Sequence, residues 1–286
     1  MFRRVGLWVA ALTAALGISA CQPTAQNTAQ SLAQEQRNAQ NLVAQLDRKG
    51  QLIKEAGLNR YVNDVVARVA QHRPPGSVPV RSYVIKDAAV NAFTPGGGYV
   101  FFNAGLIAAM ENEAQFATVV AHEIAHIDQG HIPAKIANNQ AVQLGAIAGM
   151  LLGAATGIDP RVTETFVGVG ANAYASNYSR TQERDADRVA IEYLAAAGYN
   201  AVEGAKSFQV LQRLYGSNAD LFSTHPASGE RFTNLTAQAQ RLGATRGRIG
   251  NRTHDRATLQ LRRDILDFYQ SKGMTKEAAQ VRRALR

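Results

Sequence analysis

Apolar residues recur at helical spacing along much of this chain. Leu42, Leu46, Leu58, Val62, Val65, Val66 and Val69 form one such series, closed by Pro74-Pro75, which predicts a helical lead-in from Leu42 to Arg73. Val78 to Ile85 and Tyr99 to Phe102 are instead short β-branched and aromatic runs, separated by Pro95-Gly96-Gly97-Gly98. They read as a small antiparallel pair. Asn103 to Met110 and Glu113 to Ile132 return to the helical period. In the longer segment Phe116, Val119, Val120, Ile124 and Ile127 make the apolar stripe of an amphipathic, core-facing helix. A further helix is expected from Arg180 to Ala197, stopped at Gly198. Beyond Ala201 the pattern stays helical, with breaks near Gly216, Pro226, Gly243 to Gly250 and Gly273, and no repeat of fixed period emerges. The expected fold class is α+β and mainly helical, with a small antiparallel sheet beside the Glu113 helix.

Three stretches depart from this pattern. Arg3 and Arg4 precede an apolar run, Val5 to Leu16, that ends in Gly17-Ile18-Ser19-Ala20, the layout of a signal peptide over residues 1–20. Cys21 follows directly and is the only cysteine in the chain. The stretch is similar to a bacterial lipobox, with Ile18 where leucine is commoner, and implies a lipid on Cys21 and attachment to a membrane. A sole cysteine forms no internal disulfide, which suits a lipoprotein better than a disulfide-stapled secreted domain. In the Gram-negative sorting pattern that this resembles, Gln22 implies the outer membrane, with the protein facing the periplasm. Residues 21–40 are rich in Gln, Ala, Asn and Thr and poor in large apolar side chains, as in a flexible tether. Residues 141–157 are apolar and rich in Gly and Ala, but this 17-residue run contains Gln143 and falls short of the roughly 20 residues that span a bilayer. A buried helix or an active-site lid is the expectation. The main domain is then expected over 41–242, with a basic helical extension over 243–286.

Composition narrows the functional classes. With 286 residues the chain is long enough for a substantial core. Apolar residues make up 46% but aromatics only 7%, a bias that suits packed helices. The formal charge is +9. Its basic residues are scattered, without interleaved aromatics or a recognition motif, so no nucleic-acid partner is expected.

The chemistry is concentrated at His122-Glu123-Ile124-Ala125-His126. At about 100° per residue, His122 and His126 lie about 40° apart on one helical face and can meet one metal ion, while Glu123 is rotated off the ion and near its open position. A catalytic zinc site needs three protein ligands and room for water. The pattern with a nearby third histidine requires Gly three and His six residues after the second histidine, where this chain has Gln129 and Ile132. His131 would point about 140° from His126 on a continuing helix, and is expected to be solvated or capping. The alternative is a carboxylate from a second helix. Glu183 and Asp187 are one turn apart, which makes Glu183 the candidate third ligand and Asp187 the acceptor for the free N–H of a ligand histidine. Asp185 is directed away and is the weaker candidate. The reading is one zinc ion per chain, with a water activated by Glu123 attacking a peptide carbonyl. His225, before Pro226, is a further candidate, as oxyanion stabiliser or reversible zinc ligand, beside its plain reading as a loop histidine. Asn91 to Phe102 reads equally as a peptide-pairing edge strand or a structural hairpin.

The motifs in combination resemble the zinc metallopeptidase family of the CAAX prenyl endopeptidases and the HtpX-like and Oma-like proteases, a gluzincin family. The resemblance runs from about Tyr61 to Leu235. It rests on Asn91-Ala92-Phe93 with Pro95-Gly96-Gly97, Asn103-Ala104-Gly105-Leu106, Ala121 to His126, Glu183 to Arg188, and His225-Pro226 followed by Arg231. It implies a zincin-type core, His122, His126 and Glu183 as zinc ligands, Glu123 as general base and Asp187 behind the ligands. The clear multiple membrane spans of the prenyl endopeptidases and HtpX-like members are lacking, so the chain looks like the soluble lipoprotein branch. The expected function is a zinc endopeptidase acting on unfolded or misassembled cell-envelope proteins. The alternative is an envelope chaperone or assembly factor with little proteolytic activity.

Overall fold

The computed structural model describes residues 25–131, 178–215 and 230–285. The candidate positions Cys21 and His225, the expected signal peptide and the 141–157 segment lie outside them. The N-terminal helices are α1 (Ala25–Arg48) and α2 (Ala56–Ala70), followed by strands β1 (Arg81–Ile85), β2 (Ala92–Gly96) and β3 (Tyr99–Asn103). Then come α3 (Ala104–Ala109) and α4 (Glu113–Asp128), and after the gap α5 (Arg180–Ala196), α6 (Ala201–Tyr215), α7 (Arg231–Arg241), α8 (Asn251–Ser271) and α9 (Thr275–Ala284). No described helix is long and apolar enough to cross a membrane.

The fold is mainly helical with one small sheet, as expected, but the sheet is mixed. Its order is β1-β3-β2. The two runs read as an antiparallel pair are parallel, with Arg81 opposite Tyr99 and Ile85 opposite Asn103. The Pro95 to Gly98 turn serves another strand: it joins β2 to β3, which run antiparallel with Phe93 opposite Phe101. Strand β2 lies between β1 and β3 in sequence but at the sheet edge, so β3 is the central strand.

Alternation along the strands gives the sheet two apolar faces. Phe93, Tyr99, Phe101 and Ile85 pack with Ala39, Leu42 and Leu46 of α1, while Ala92, Val100, Phe102 and Val84 join the main core with α2 and α4. The stretch expected as a flexible tether is therefore helical from Ala25, and its Ala39 is fully buried. Tertiary contacts order a segment whose composition alone would not. Glu35 Oε2 accepts a hydrogen bond of 2.9 Å from Gly97 N in the β2–β3 turn. Gly97 has φ +64°, and a Cβ there would stand 2.7 Å from Gln36 N, so the helix and the turn fit only with glycine.

The lead-in is also two helices, because the chain turns at Gly50, φ +65°, and Leu52 bridges to Ile85 before α2 begins. Glu55 caps α2 by accepting from Gly57 N and Leu58 N. Helix α4 is not amphipathic as expected: every residue from Glu113 to His126 is buried, which makes it the central helix of the domain. Asn112 caps its start, accepting from Gln115 N at 3.0 Å.

The basic C-terminal helices belong to this body. Arg262, 1% exposed, donates from Nη2 to Met110 O at 2.7 Å, satisfying a carbonyl where α3 ends. His254 approaches the same carbonyl with Nε2 at 3.1 Å, and its Nδ1 lies 2.6 Å from Tyr61 Oη. Carbonyl and hydroxyl together suit a neutral ring, with the proton on Nε2 and Tyr61 donating to Nδ1.

Burial first, and the positive Arg262 second, push His254 down from 6.5 to about 3. The folded ring stays neutral while the unfolded ring gains a proton below about 6.5. Its contribution is intact above that pH and is lost as pH falls toward 3. Each unit of acidification in this window should then cost up to about 1.4 kcal/mol through His254. In urea titrations at pH about 7 and about 5, His254→Gln should lose markedly less stability than wild type between the two; equal losses would contradict this account.

Candidate metal centre

Two helices bring the candidate residues together. Helix α4 carries His122, Glu123 and His126 at exposures of 3%, 0% and 0%. Helix α5 starts with a reciprocal cap, in which Ser179 Oγ accepts from Gln182 N and Gln182 Oε1 accepts from Ser179 N. That cap begins the helix just ahead of Glu183, so Glu183 and Asp187 project from its first turns toward α4, both buried.

The ligand-type atoms converge. His122 Nε2 and His126 Nε2 are 3.0 Å apart. Glu183 Oε1 lies 3.3 Å from His126 Nε2, and Glu183 Oε2 lies 3.5 Å from His122 Nε2. Ligands about 2.0–2.2 Å from a tetrahedral ion stand roughly 3.3–3.5 Å from one another, so the two nitrogens and one carboxylate fit a zinc-sized cation. This trio is the one group of such residues that could hold a metal among those described.

The opposite side of each imidazole is also supported. His122 Nδ1 is 3.0 Å from Asp187 Oδ1, the arrangement that leaves Nε2 unprotonated when a cation takes that position. For the ring without a cation, burial lowers the pKa, but Asp187 and Glu183 outweigh it and raise it from 6.5 to about 9. Proton and metal compete for the same nitrogen. His126 Nδ1 is 3.1 Å from His131 Nδ1, and its ring stacks on Tyr178 at 3.8 Å between centroids.

His131 is not the solvated group expected from a continuing helix: it is 8% exposed, and burial lowers its pKa. Helix α4 ends at Asp128, Gly130 takes φ +63°, and His131 N bonds back to His126 O at 3.0 Å. The reversal folds His131 against the motif it follows. Asp185 is half-buried and stands outside the converging trio.

The residue whose role sequence reasoning missed is Arg231, at the start of α7 and 4% exposed. Its guanidinium forks onto Asp187, Nε to Oδ2 at 2.8 Å and Nη2 to Oδ1 at 2.7 Å. Its Nη1 reaches Glu183 Oε2 at 2.8 Å, and the group lies 4.3 Å over the Phe208 ring. Burial would lower the pKa of Arg231, but Asp187 and Glu183 raise it above the ordinary value. Burial would raise that of Asp187, but Arg231 and His122 hold it low. Its only sequence signal was its place in the family pattern, because nothing in local spacing announces a partner 44 residues away.

Among the described residues the buried set holds three carboxylates, Glu123, Glu183 and Asp187, against one guanidinium. Two imidazole nitrogens and a carboxylate oxygen converging in a buried position are the donor set of a divalent cation such as zinc.

Comparison with known proteins agrees with this geometry. Residues 53–239 match the model of Peptidase family M48. The chain is similar to the beta-barrel assembly-enhancing protease of Escherichia coli (strain K12), 26% identical over 219 residues that cover 74% of this chain and 45% of that protein. It is 32% identical over 162 residues to metalloprotease LoiP of the same organism, covering 55% of this chain and 61% of that one. With the mitochondrial metalloendopeptidase OMA1 of Arabidopsis thaliana it shares 31% identity over 157 residues, 54% of this chain and 30% of that one. The chain thus spans less than half the length of the beta-barrel assembly-enhancing protease it matches. The matched segment contains the whole converging cluster, and on that match the chain belongs to peptidase family M48.

Proposed function

We propose that this chain is a zinc endopeptidase of the bacterial cell envelope, acting on unfolded or misassembled envelope proteins. The observation that carries the reading is the convergence of His122 Nε2, His126 Nε2 and the Glu183 carboxylate in a buried position. His122, His126 and Glu183 would hold the ion. The substrate class rests on the relatives named for beta-barrel assembly and as metalloproteases. The location rests on those names and on the expected signal peptide and lipid on Cys21, which would tether the protein to the outer membrane, facing the periplasm.

When bound, zinc supplies a Lewis acid for the scissile carbonyl and a water of lowered pKa. Glu123, beside His122 on α4 and fully buried, takes the proton of the attacking water and passes it to the leaving amine. Asp187 accepts from His122 Nδ1–H, and Arg231 fixes Asp187 and Glu183 in place. His131 Nδ1 accepts from His126 Nδ1–H in the same way. His225 remains a candidate for the transition-state oxyanion or for a reversible ligand position.

Two variants test this reading. Glu123→Gln should retain about one zinc per chain by elemental analysis while cleavage of casein falls about a hundredfold to ten-thousandfold. Undiminished cleavage would remove Glu123 from the chemistry. Asp187→Asn should weaken zinc binding by about ten- to a hundredfold in chelator competition; unchanged affinity would mean that the Asp187 contact does not tune His122.

A further inference from the structure

A cavity of about 520 Å³ lies between the family core and α8, inside the roughly 300–1,000 Å³ range of small-molecule sites. Ile53 and Leu58 form its wall on the core side, and Leu261, Ile265 and Phe268 form it on the α8 side. It shares no lining residue with the histidine cluster. Helix α8 follows the segment matched by the family model, which ends at residue 239, so one wall of the cavity is formed by an element that the family match does not cover.

Two lysines and three acidic residues stand at its edge. Lys86 and Lys272 line it and are exposed, and neither makes an ion pair among the described residues, where the lysine pairs are those of Lys54 and Lys206. Two of the three acidic lining residues are already engaged or discharged. Glu55 spends its carboxylate on the first turn of α2, accepting from Gly57 N and Leu58 N. Asp87, 5% exposed, accepts from Ala89 N at 2.8 Å. Burial pushes its carboxyl up to about 7, against the pull of that hydrogen bond, which suppresses much of its charge near neutrality. The third, Asp264, is exposed and takes a hydrogen bond from Gln260 at 2.7 Å. Lys272 Nζ stands 6.0 Å over the ring of Phe268 in the wall. An apolar slot with two ammonium groups at its edge that form no described ion pair suits a ligand with a hydrocarbon body and an anionic head.

We propose that this cavity binds a long-chain carboxylate, with its tail between α2 and α8 and its head group on Lys86 and Lys272. Binding here needs neither the metal nor Glu123. Calorimetric titration of the full chain with decanoate below its micellar concentration should show saturable one-to-one binding. Decylamine, the same tail with the opposite charge, should bind about tenfold more weakly or worse. The Lys86→Gln/Lys272→Gln variant, altered at exposed positions, should lose about tenfold in decanoate affinity with unchanged circular dichroism and melting temperature. Ala257→Phe, which directs bulk into the cavity from α8, should abolish binding; if it does not fold, the lysine variant alone decides. Absence of saturation, equal binding of decylamine, or full affinity in the lysine variant would each overturn the proposal.

Discussion

The hub of this structure is the guanidinium of Arg231, which forks onto Asp187 and reaches Glu183 in one buried contact set. Through it α7 is tied to α5, and through His122 and Glu183 α5 is tied to α4. The carboxylates it holds face the imidazoles, whose Nε2 atoms converge with Glu183 on one position. The same carboxylates explain why His122 holds its proton firmly without a cation: Asp187 and Glu183 outweigh burial and raise its pKa to about 9. Charge economy and candidate chemistry are thus one arrangement.

The rest of the fold holds this set dry and in register. Helix α4 is buried on every side, with the sheet, α2, α5 and α6 sharing one apolar core with it. Its polar ends are answered one by one. Asn112 caps its start, and Glu113 receives Tyr199 Oη and the Arg248 guanidinium. Near its other end Asp128 pairs with Arg73 at 2.5 Å and accepts from Tyr193 Oη. A central helix with satisfied ends holds His122, Glu123 and His126 in register with α5.

Features governed by local geometry were legible in the sequence, and features governed by tertiary path were not. The approach of His122, His126 and Glu183 followed from helical spacing on two segments. The contact of Asp187 with His122 followed from its position one turn beyond Glu183. A continuing helix would carry His131 away from His126, but Gly130 has a positive φ that turns the chain back. The strand pair was given the wrong direction because the glycine turn was assigned to the flanking runs, while the less apolar Ala92 to Gly96 forms the true hairpin with β3. The tether was misjudged because its ordering energy comes from Phe93 and Phe101 on a distant sheet. The role of Arg231 is hidden for the same reason: its partners are fixed by how α7 packs, not by anything near it in sequence.

The packed body also extends beyond the segment that marks the family. Residues 53–239 match that model, yet α1 covers one sheet face, and α8 supplies Arg262 and His254 to a carbonyl at the end of α3. These additions answer polar groups and apolar surface that the family segment alone would leave to water. A helix anchored at two points on one carbonyl need not match the surface along its whole length. Where α8 departs from close contact it leaves the cavity at Leu261 and Phe268. Fixing α8 at Met110 therefore both completes the core and places one wall of that cavity.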